Sequence, residues 1–333
     1  MTSGPLAAVT GAEGFIGSHL TESLVASGHR VRAMAQYNSF SSYGWLETLP
    51  QDVLDQVEIV LGDVRDPGSV RALAEGADTV YHLAALIAIP YSYRAPHSYV
   101  DTNVTGTLNV LEAVRALGTP RLVHTSTSET YGTAQTVPIT EDHPINTQSP
   151  YAASKAGGDR LADSYHASFG TPVVTLRPFN TFGPRQSMRA VIPTVIGQIA
   201  AGKHTITLGG LRPTRDFTYV TDTAAAFLAV GTAPAEAVVG RTLNAGTGGE
   251  ISIGDLVGLI GKVMDTDLDI REDEQRIRPA DSEVMRLVAD ATRLREATGW
   301  TPALDLEQGL ARTVEFFRDP ANLARYKTGI YNI

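Results

Sequence analysis

Short apolar runs and amphipathic segments alternate along the first half of the chain. Runs of apolar and β-branched residues predict buried strands, and segments with apolar positions three or four apart predict helices. The predicted strands are Leu6–Thr10, Val31–Ala35, Val57–Leu61, Thr79–Ala84, Arg121–Ser126 and Pro172–Leu176. The predicted helices between them include Ser18–Ser27, Ser69–Ala74, Asp101–Ala116 and Tyr151–Ser168. This alternation predicts an α/β fold, a Rossmann-like doubly wound parallel sheet with helices on both faces.

The pattern changes after Pro178, where loops rich in Gly, Pro and Arg separate shorter elements. The predicted elements there are helices Arg189–Ala201, Ile253–Met264 and Leu306–Arg318 and strands Lys203–Leu208 and Arg241–Ala245. We therefore predict a Rossmann domain at residues 1–178, with later elements at about 216–248 that return to the sheet. Residues 179–333 are predicted to form mainly a smaller C-terminal lobe that binds the substrate.

Three glycines follow the first predicted strand in the segment Gly11-Ala12-Glu13-Gly14-Phe15-Ile16-Gly17. Glycine permits a tight strand-to-helix turn and lets backbone N–H groups approach a pyrophosphate at the positive helix end. The spacing is GxxGxxG rather than the commoner GxGxxG, and a glycine triplet alone also fits an ordinary tight turn. Because a strand precedes it and a helix follows, the segment predicts dinucleotide binding by Gly11, Gly14, Phe15, Ile16 and Gly17.

A tyrosine and a lysine stand four residues apart in Tyr151-Ala152-Ala153-Ser154-Lys155. Residues four apart share a helix face, so Lys155 is expected beside Tyr151 one turn further on. A nearby ammonium favours phenolate over phenol, which lets a tyrosine take a proton near neutral pH. A lone YxxxK would be interpreted as surface residues. With the glycine motif upstream, it predicts proton removal from a sugar hydroxyl while a hydride leaves the same carbon.

Composition excludes several other classes of function. The chain has 333 residues, no cysteine and a formal net charge of −9. The absence of cysteine excludes disulfides and thiolate metal sites, and the negative charge argues against nucleic acid or an anionic membrane as partner. His82, His124 and His143 follow no metal-ligand spacing, so no metal site is predicted, and His82 is expected in the core or near the cofactor. No apolar run is long enough to span a bilayer and no signal-like segment is present, so a cytoplasmic location is expected.

Further segments make the chain similar to a known family over nearly its whole length. They are Gly62–Val64, His82–Ala85, Asn103–Thr107, Arg177–Asn180 and Arg215–Phe217. Together with the glycine motif and the YxxxK pair, they resemble the extended short-chain dehydrogenase/reductases, which include nucleotide-sugar epimerases, dehydratases and decarboxylases. More narrowly, three segments resemble the configuration-retaining UDP-N-acetylglucosamine 4,6-dehydratases of legionaminic acid pathways: Tyr37–Phe40, Ala85–Tyr93 and Arg189–Thr194.

The resemblance implies NAD as the cofactor, with Asp63 and Val64 flanking the adenine. The other cofactor-binding residues that it implies are Leu83, Ala84, Ala85, Ser126, Tyr151 and Lys155. Many NAD-using relatives end the second strand with an acidic residue that binds the adenosine ribose. Ala35 occupies that place here and Gln36 follows it. Arg32 is close enough in sequence to keep NADP as an alternative.

The resemblance also implies catalytic groups after the fifth strand, where the chain reads Thr127-Ser128-Glu129. The corresponding stretch is Thr-Asp-Glu in glucose-nucleotide 4,6-dehydratases and Thr-Ser-Glu in GDP-mannose dehydratases. Epimerases usually lack the glutamate, so Glu129 favours dehydration, although some nucleotide-sugar decarboxylases share Ser-Thr-Ser-Glu. The implied catalytic residues are Thr127, Ser128, Glu129, Tyr151 and Lys155.

Four residues match positions that contact the substrate in relatives. Asn180, Arg215 and Arg278 would grip the diphosphate or the sugar, because guanidinium groups pair well with phosphate oxygens. Val191, in a segment that could equally be a plain loop entering a helix, would line the sugar pocket. Other arginines, Arg189 and Arg212 among them, are assigned to the surface.

The sequence therefore predicts a nucleotide-sugar 4,6-dehydratase that acts on UDP-N-acetylglucosamine or a close hexose relative. The reaction would comprise transient C4 oxidation, C5 deprotonation, loss of C6 water and hydride return. The alternatives are a UDP-glucuronate decarboxylase or a 4-epimerase on the same fold. A dinucleotide sensor without catalysis is a further alternative, but it would need none of Tyr151, Lys155 and Glu129. In relatives the helices matching Asp101–Ala116 and Tyr151–Ser168 pair across a twofold axis, so a homodimer is expected.

Overall fold

The computed structural model describes residues 4–273 and 276–332, so the predicted domain ends at residues 1 and 333 lie outside the described residues. The strands are β1 (Leu6–Thr10), β2 (Arg30–Gln36), β3 (Val57–Gly62), β4 (Thr79–His82), β5 (Arg121–Thr125), β6 (Val173–Pro178), β7 (Asn180–Phe182), β8 (Thr205–Leu208), β9 (Thr214–Arg215), β10 (Phe217–Tyr219), β11 (Thr242–Ala245), β12 (Ile251–Ser252), β13 (Asp269–Glu272) and β14 (Arg286–Leu287). The helices are α1 (Phe15–Ala26), α2 (Gln51–Leu54), α3 (Pro67–Ala74), α4 (Ile89–Ser92), α5 (Pro96–Tyr99), α6 (Gly106–Leu117), α7 (Pro150–Phe169), α8 (Val191–Ala200), α9 (Val220–Thr232), α10 (Ala235–Val238), α11 (Ile253–Val263), α12 (Thr292–Thr298), α13 (Leu306–Arg318) and α14 (Pro320–Leu323). A π-helical turn at Val100–Thr105 leads into α6, and 3₁₀ turns occur at Gly44–Thr48, Ser128–Tyr131 and Ala280–Ser282.

The main sheet has seven strands in the order β11-β6-β5-β4-β1-β2-β3, and all of its pairings are parallel. The strand order reverses between β1 and β4, and ligands of such sheets bind beyond the strand ends at this switch point. The predicted doubly wound α/β fold is therefore confirmed.

The two faces of the sheet are covered by separate apolar clusters. Ala7 and Val9 of β1 belong to the cluster that contains Leu20 of α1, whereas Ala8 belongs to the cluster that contains Leu73 of α3. Because successive strand residues point to opposite faces, a strand that is buried on both sides has no polar alternation. This explains why β1 is an unbroken run of buried residues.

Most predicted elements are present, with differences at their ends. Strand β4 ends at His82 rather than Ala84, and β5 ends at Thr125 rather than Ser126. Helix α1 begins at Phe15 rather than Ser18, because the extended backbone of Gly14 (φ −79°, ψ −178°) ends the turn there. Helix α9 was not predicted. It packs against α1 and the sheet, and its apolar composition leaves little polar contrast to mark a helix period.

The smaller lobe has its own apolar core. Helices α8, α11 and α13 pack together with β8 around Ile196, Leu256 and Leu310. The segment that follows β10 turns back to the main sheet, where α9 covers β5 and β6 and β11 pairs with β6. Within the described ranges, no helix is both long enough and apolar enough to cross a membrane.

Candidate active site

A cleft of about 850 Å³ opens at the carboxyl ends of the main-sheet strands and is lined by residues from both the sheet and the smaller lobe. All of the residues predicted above for catalysis and binding lie in its wall. They are Gly11, Gly14, Phe15, Ile16, Gly17, Asp63, Val64, Leu83, Ala84, Ala85, Ser126, Thr127, Ser128, Glu129, Tyr151, Lys155, Asn180, Val191, Arg215 and Arg278. The fold thus gathers segments that are far apart in sequence around a single cavity.

The glycine loop packs too closely for side chains at two positions. A Cβ on Gly11, whose φ is +68°, would lie 2.7 Å from the amide nitrogen of Ala84. A Cβ on Gly17 would lie 2.1 Å from the carbonyl oxygen of Gly11. Gly14, the residue before α1, provides no side-chain cap for the first N–H groups of the helix. These groups and the helix dipole are therefore free to bind an anionic group such as a pyrophosphate.

Arg32, the basis of the NADP alternative, does not reach the cleft. Its Nε donates to Glu58 Oε2 at 2.8 Å, and its Nη1 donates to the carbonyl oxygens of Leu73 at 3.0 Å and Glu75 at 2.8 Å. The guanidinium therefore binds the last turn of α3, where carbonyl groups lack helical partners. Proximity in sequence was misleading because alternate residues of β2 point to opposite sides of the sheet.

Asp63 follows β3 and is paired with a neighbour that the sequence analysis did not consider. The guanidinium of Arg65 donates to both carboxylate oxygens, at 3.0 Å from Nε and 2.6 Å from Nη2. These hydrogen bonds lower the pKa of Asp63. Asp63 therefore presents an ionised, fixed carboxylate to the cleft.

Tyr151 and Lys155 are both buried in the first turns of α7. Burial raises the pKa of Tyr151, and the charge of Glu129 raises it further, whereas the hydrogen bond with Thr127 lowers it. Lys155 donates to the carbonyl oxygen of Thr125 at 2.5 Å, and burial lowers its pKa to about 8. The expectation that Lys155 lowers the tyrosine pKa is therefore wrong for this structure. Loss of hydration is the largest effect on the pKa of the phenol, and the ammonium of Lys155 is directed at a backbone carbonyl instead of the phenol.

The segment after β5 forms a 3₁₀ turn that carries the other predicted catalytic residues. Thr127 caps this turn, with its hydroxyl accepting the backbone N–H of Glu129 at 3.3 Å. Ser128 is buried, and Glu129 is half-buried in the cleft wall rather than solvated at a strand end. Burial lowers the pKa of Arg215, and the nearby charge of Glu129 offsets only part of this effect. A carboxylate, a hydroxyl pair and a phenol thus face one cavity.

A buried network beneath Lys155 was missed by the sequence analysis. Asp159, one turn beyond Lys155, accepts hydrogen bonds from Ser126 Oγ at 2.6 Å, Arg177 Nη2 at 2.7 Å and His124 Nε2 at 3.1 Å. Burial alone would raise the pKa of Asp159, but the hydrogen bond from His124 and the charge of Arg177 hold it well below its usual value. His124 and Arg177 are polar residues within apolar strands. Because buried polar groups need hydrogen-bond partners, these two positions could have indicated the network.

His82 is buried in the core next to the cleft, in agreement with its prediction. Its Nδ1 lies 2.9 Å from Thr10 Oγ1, and its Nε2 lies 3.1 Å from Thr107 Oγ1. Thr10 Oγ1 also accepts the N–H groups of Leu83 and Ala84, both at 3.1 Å. His82 therefore helps to hold the backbone turn that brings these residues to the cleft. No group of histidine and acidic side chains in the described chain is arranged to hold a metal ion.

The predicted substrate residues lie in the part of the cleft nearest the smaller lobe. Asn180 Oδ1 is buried without a hydrogen-bond partner in the described chain, and so it can accept from a ligand. Arg215 Nη2 and Arg278 Nη1 are each 3.4 Å from Oε1 of Glu283, which the sequence analysis missed. Val191 begins α8. Two guanidinium groups on one carboxylate form a positive site that an anionic substrate group could share.

The arginines assigned to the surface differ in position. Arg189 is exposed but also lines the cleft, whereas Arg212 is exposed outside it. The assignment of Arg189 to the surface alone is therefore incomplete. Its position follows from the loop that leads into α8, whose path depends on packing of the smaller lobe.

The parallel sheet, the glycine loop at its switch point and the Tyr151–Lys155 pair define the class as an extended short-chain dehydrogenase/reductase. The sequence profile of the family described as GDP-mannose 4,6 dehydratase matches residues 8–313. The chain belongs to this family.

Individual relatives include both dehydratases and epimerases. The UDP-glucose 4-epimerase of Mycolicibacterium smegmatis is 36% identical over 318 residues, covering 93% of this chain and 98% of the relative. The dTDP-glucose 4,6-dehydratase of Xanthomonas campestris pv. campestris is 34% identical over 333 residues, covering 93% of this chain and 92% of the relative. Among solved structures, a double mutant of DesIV, a dTDP-glucose 4,6-dehydratase from Streptomyces venezuelae with NAD bound, superposes with a TM-score of 0.87 at 28% identity and covers 96% of this chain and 98% of its own. The prediction of NAD as the cofactor of this family is confirmed.

Proposed function

We propose that the protein is an NAD-dependent nucleotide-sugar 4,6-dehydratase that converts UDP-N-acetylglucosamine, or a close hexose relative, to the 4-keto-6-deoxy sugar. The observation that carries this proposal is the position of Glu129. Its carboxylate lines the same cleft as Tyr151 and is close enough for its charge to act on the phenol. A phenol and a carboxylate in one cavity suit two proton removals from neighbouring carbons of one sugar.

The cleft residues fit a dinucleotide. The wall at Gly11 and Gly17 leaves no room for side chains, and the uncapped start of α1 suits a pyrophosphate. Asp63 and Val64 flank the adjoining wall, where an adenine would lie. A bound NAD would be held by the glycine loop and by Asp63 and Val64, and it would supply the acceptor for the C4 hydride and the donor of the hydride to C6.

The chain's own residues divide the proton transfers. Tyr151 takes the proton of the C4 hydroxyl, and the hydroxyl of Thr127 forms a hydrogen bond with the sugar at the same position. Lys155, with a pKa of about 8, is mostly protonated at neutral pH, and it would offset the raised pKa of the Tyr151 phenol if its ammonium turned from the carbonyl oxygen of Thr125 towards the phenol in the substrate complex. Glu129 then takes the C5 proton, which the C4 ketone has made acidic. The C6 hydroxyl leaves as water with a proton from Glu129, or from Ser128 through a water molecule. When the hydride returns to C6, C5 regains one proton, so the two protons removed from the C4 hydroxyl and from C5 account for the proton of the leaving water and the C5 proton of the product.

The diphosphate of the substrate would bind at Arg215 and Arg278. Both guanidinium groups contact the carboxylate of Glu283, and this pairing with an anion supports a role in binding the negative charge of the diphosphate. Asn180 Oδ1 offers an unused acceptor to a hydroxyl or amide of the sugar or base. Fixing both ends of the substrate would hold C4, C5 and C6 against the catalytic groups.

A 4-epimerase is the second candidate, and it is favoured by the 36% identity with the UDP-glucose 4-epimerase of M. smegmatis. Epimerisation would use Tyr151 for the same C4 proton but would not need Glu129 to remove a proton from C5. The two functions therefore differ in the need for this carboxylate.

Incubating the purified protein with UDP-, dTDP- and GDP-hexoses and with UDP-glucuronate, followed by chromatographic separation and mass spectrometry of the nucleotide sugars, tests the proposal. Dehydration yields a product lighter by about 18 mass units, the mass of one water. We expect this product from UDP-N-acetylglucosamine. A product of unchanged mass with inverted C4 would establish the epimerase instead, and loss of carbon dioxide from UDP-glucuronate would establish the decarboxylase.

We also propose that the protein is a homodimer that pairs through α6 and α7. These helices pack side by side, and apolar side chains on both, Leu108 and Leu161, remain half-exposed. A second copy would remove this apolar surface from water.

The expected cytoplasmic location remains a prediction.

A further inference from the structure

Glu13 lies inside the glycine loop and reaches across to the end of β2. Its Oε1 accepts the backbone N–H of Gln36 at 3.2 Å, and its backbone carbonyl accepts the N–H of Trp45 at 3.0 Å. Glu13 contributes to the cleft wall together with Met34, Gln36 and Gly62. An acidic side chain therefore stands at the end of β2, although it comes from another segment of the chain.

One oxygen of this carboxylate lacks a donor. Oε2 of Glu13 is buried and has no hydrogen-bond partner among residues 4–273 and 276–332. Burial raises the pKa of Glu13, an effect that the hydrogen bond from Gln36 only partly offsets. Leaving a buried carboxylate oxygen without a donor costs free energy, so a ligand that brings hydroxyl donors to this wall would be favoured.

The end of β2 is where sheets of this kind commonly hold the adenosine ribose of a dinucleotide through an acidic residue. Here β2 itself provides no acid at that place, since Ala35 is buried and Gln36 is neutral. Arg32, the cation of β2 nearest that end, is bound to Glu58 on the neighbouring strand. The end of β2 thus lacks the usual carboxylate of its own, and the side chain of Glu13 lies next to this strand end.

We propose that Glu13 accepts hydrogen bonds from the adenosine ribose hydroxyls and thereby selects NAD over NADP. This inference rests on the proposed function, in which a dinucleotide occupies the cleft. A 2′-hydroxyl donates to a carboxylate, whereas a 2′-phosphate brings negative charge against it. Glu13 would therefore favour NAD by attraction and disfavour NADP by repulsion.

Glu13→Gln tests the proposal, because glutamine keeps the shape and the acceptor for Gln36 but removes the charge. The purified protein is equilibrated with equimolar NAD and NADP and desalted, and the bound dinucleotides are extracted and quantified by chromatography. We expect the wild type to retain mainly NAD, and E13Q to lower the ratio of NAD to NADP by about tenfold or more. Glu47→Gln is the matched control. Its carboxylate accepts the N–H of Tyr43 at 2.6 Å in the adjacent turn but lies outside the cleft wall, so the ratio should stay unchanged.

An unchanged ratio in E13Q, or equal losses of affinity for both dinucleotides, would overturn the proposal and leave Glu13 with a role in positioning the loop. A second measurement needs no variant: the wild type should bind 2′-deoxy-NAD about tenfold more weakly than NAD, and equal binding would also overturn it. If the wild type retained neither dinucleotide, the proposed function itself would fail. If it retained mainly NADP, the role of Glu13 and the choice of NAD would fail, whereas the proposed dehydration reaction would not be affected.

Discussion

Arg177 on β6 donates a hydrogen bond of 2.7 Å to Asp159 on α7, and the two side chains are each only 3% exposed. Asp159 lies one helical turn after Lys155 and two turns after Tyr151, so this ion pair ties the helix that carries both residues to strand β6 of the main sheet. His124 and Ser126 on β5 bind the same carboxylate. The position of Tyr151 and Lys155 is therefore set by charges that lie beneath the cleft.

Asp159→Asn should lower the free energy of unfolding by about 3–5 kcal/mol at pH 7, because it leaves the buried Arg177 charge without its counter-ion. Urea unfolding followed by fluorescence measures this change. The matched control is Asp163→Asn on the same helix. Asp163 pairs with Arg160 at 2.9 Å on an exposed surface, and its loss should cost about 0–1 kcal/mol. Equal losses in the two variants would contradict a stabilising role for the buried pair.

Glu129→Gln should retain oxidation at C4 but block removal of the C5 proton, so reduced cofactor should appear and persist. Tyr151→Phe should stop the reaction before any reduced cofactor forms. General-base losses are typically on the order of 10² to 10⁴ in rate. Single-turnover absorbance of the reduced cofactor and deuterium incorporation at C5 from solvent measure the two steps. If Glu129→Gln exchanged C5 deuterium at the wild-type rate, Glu129 would not be the base and the epimerase would be favoured.

Arg278→Gln should raise the KM for the nucleotide sugar by roughly 10- to 100-fold, with a smaller change in kcat, because it removes a charged donor to the diphosphate. Steady-state kinetics with the substrate identified by mass spectrometry measures both constants. Arg212→Gln is the control, since Arg212 is exposed and lies outside the cleft wall. A KM that rises equally in both variants would indicate a general charge effect rather than a binding site.

His19 should make the protein sensitive to mild acid. Burial, together with the charge of Arg185, lowers the pKa of His19 to about 4, and its Nε2 lies 3.1 Å from the carbonyl oxygen of Pro184. In the unfolded chain the pKa is about 6.5, so below that pH the unfolded state binds a proton that the folded state does not. The contribution of neutral His19 is therefore complete above pH 6.5 and is lost as the pH falls towards 4.

Between pH 7 and pH 5, the wild type should accordingly lose about 1–2 kcal/mol more stability than His19→Gln. Urea unfolding at both pH values gives the difference. His97→Gln, at an exposed histidine, is the control. An identical loss in the wild type and His19→Gln would show that His19 does not contribute to the acid sensitivity.

Sedimentation at micromolar concentration should show a dimer, and Leu108→Arg should shift it towards the monomer by placing a charge in the apolar surface shared by α6 and α7. Leu61→Arg is the control, because Leu61 is 47% exposed on the edge strand β3, away from these helices. If the wild type sedimented only as a monomer, the proposed homodimer would be contradicted.

Features that depend on local periodicity could be predicted from the sequence. The strands that form the centre of the sheet are short apolar runs, because strands covered on both faces need no polar alternation. The spacing of Tyr151 and Lys155 predicts a shared helix face, because 3.6 residues complete a helical turn. Glycines are required where the loop approaches β4, and the motif shows them directly. The family resemblance then identified the segments whose strand ends meet at one edge.

Tertiary structure alone decided the features that depend on burial and on contacts between distant segments. Helix α9 is packed against both α1 and the sheet, so its sequence lacks the polar stripe that marks a surface helix. The pKa of Tyr151 rises rather than falls because its environment is dry, and Lys155 binds Thr125 because β5 ends beside it. Glu13 reaches Gln36 only when β1 and β2 pair. Local sequence determines backbone geometry, whereas desolvation and long-range charge pairing exist only once the sheet and its helices have packed.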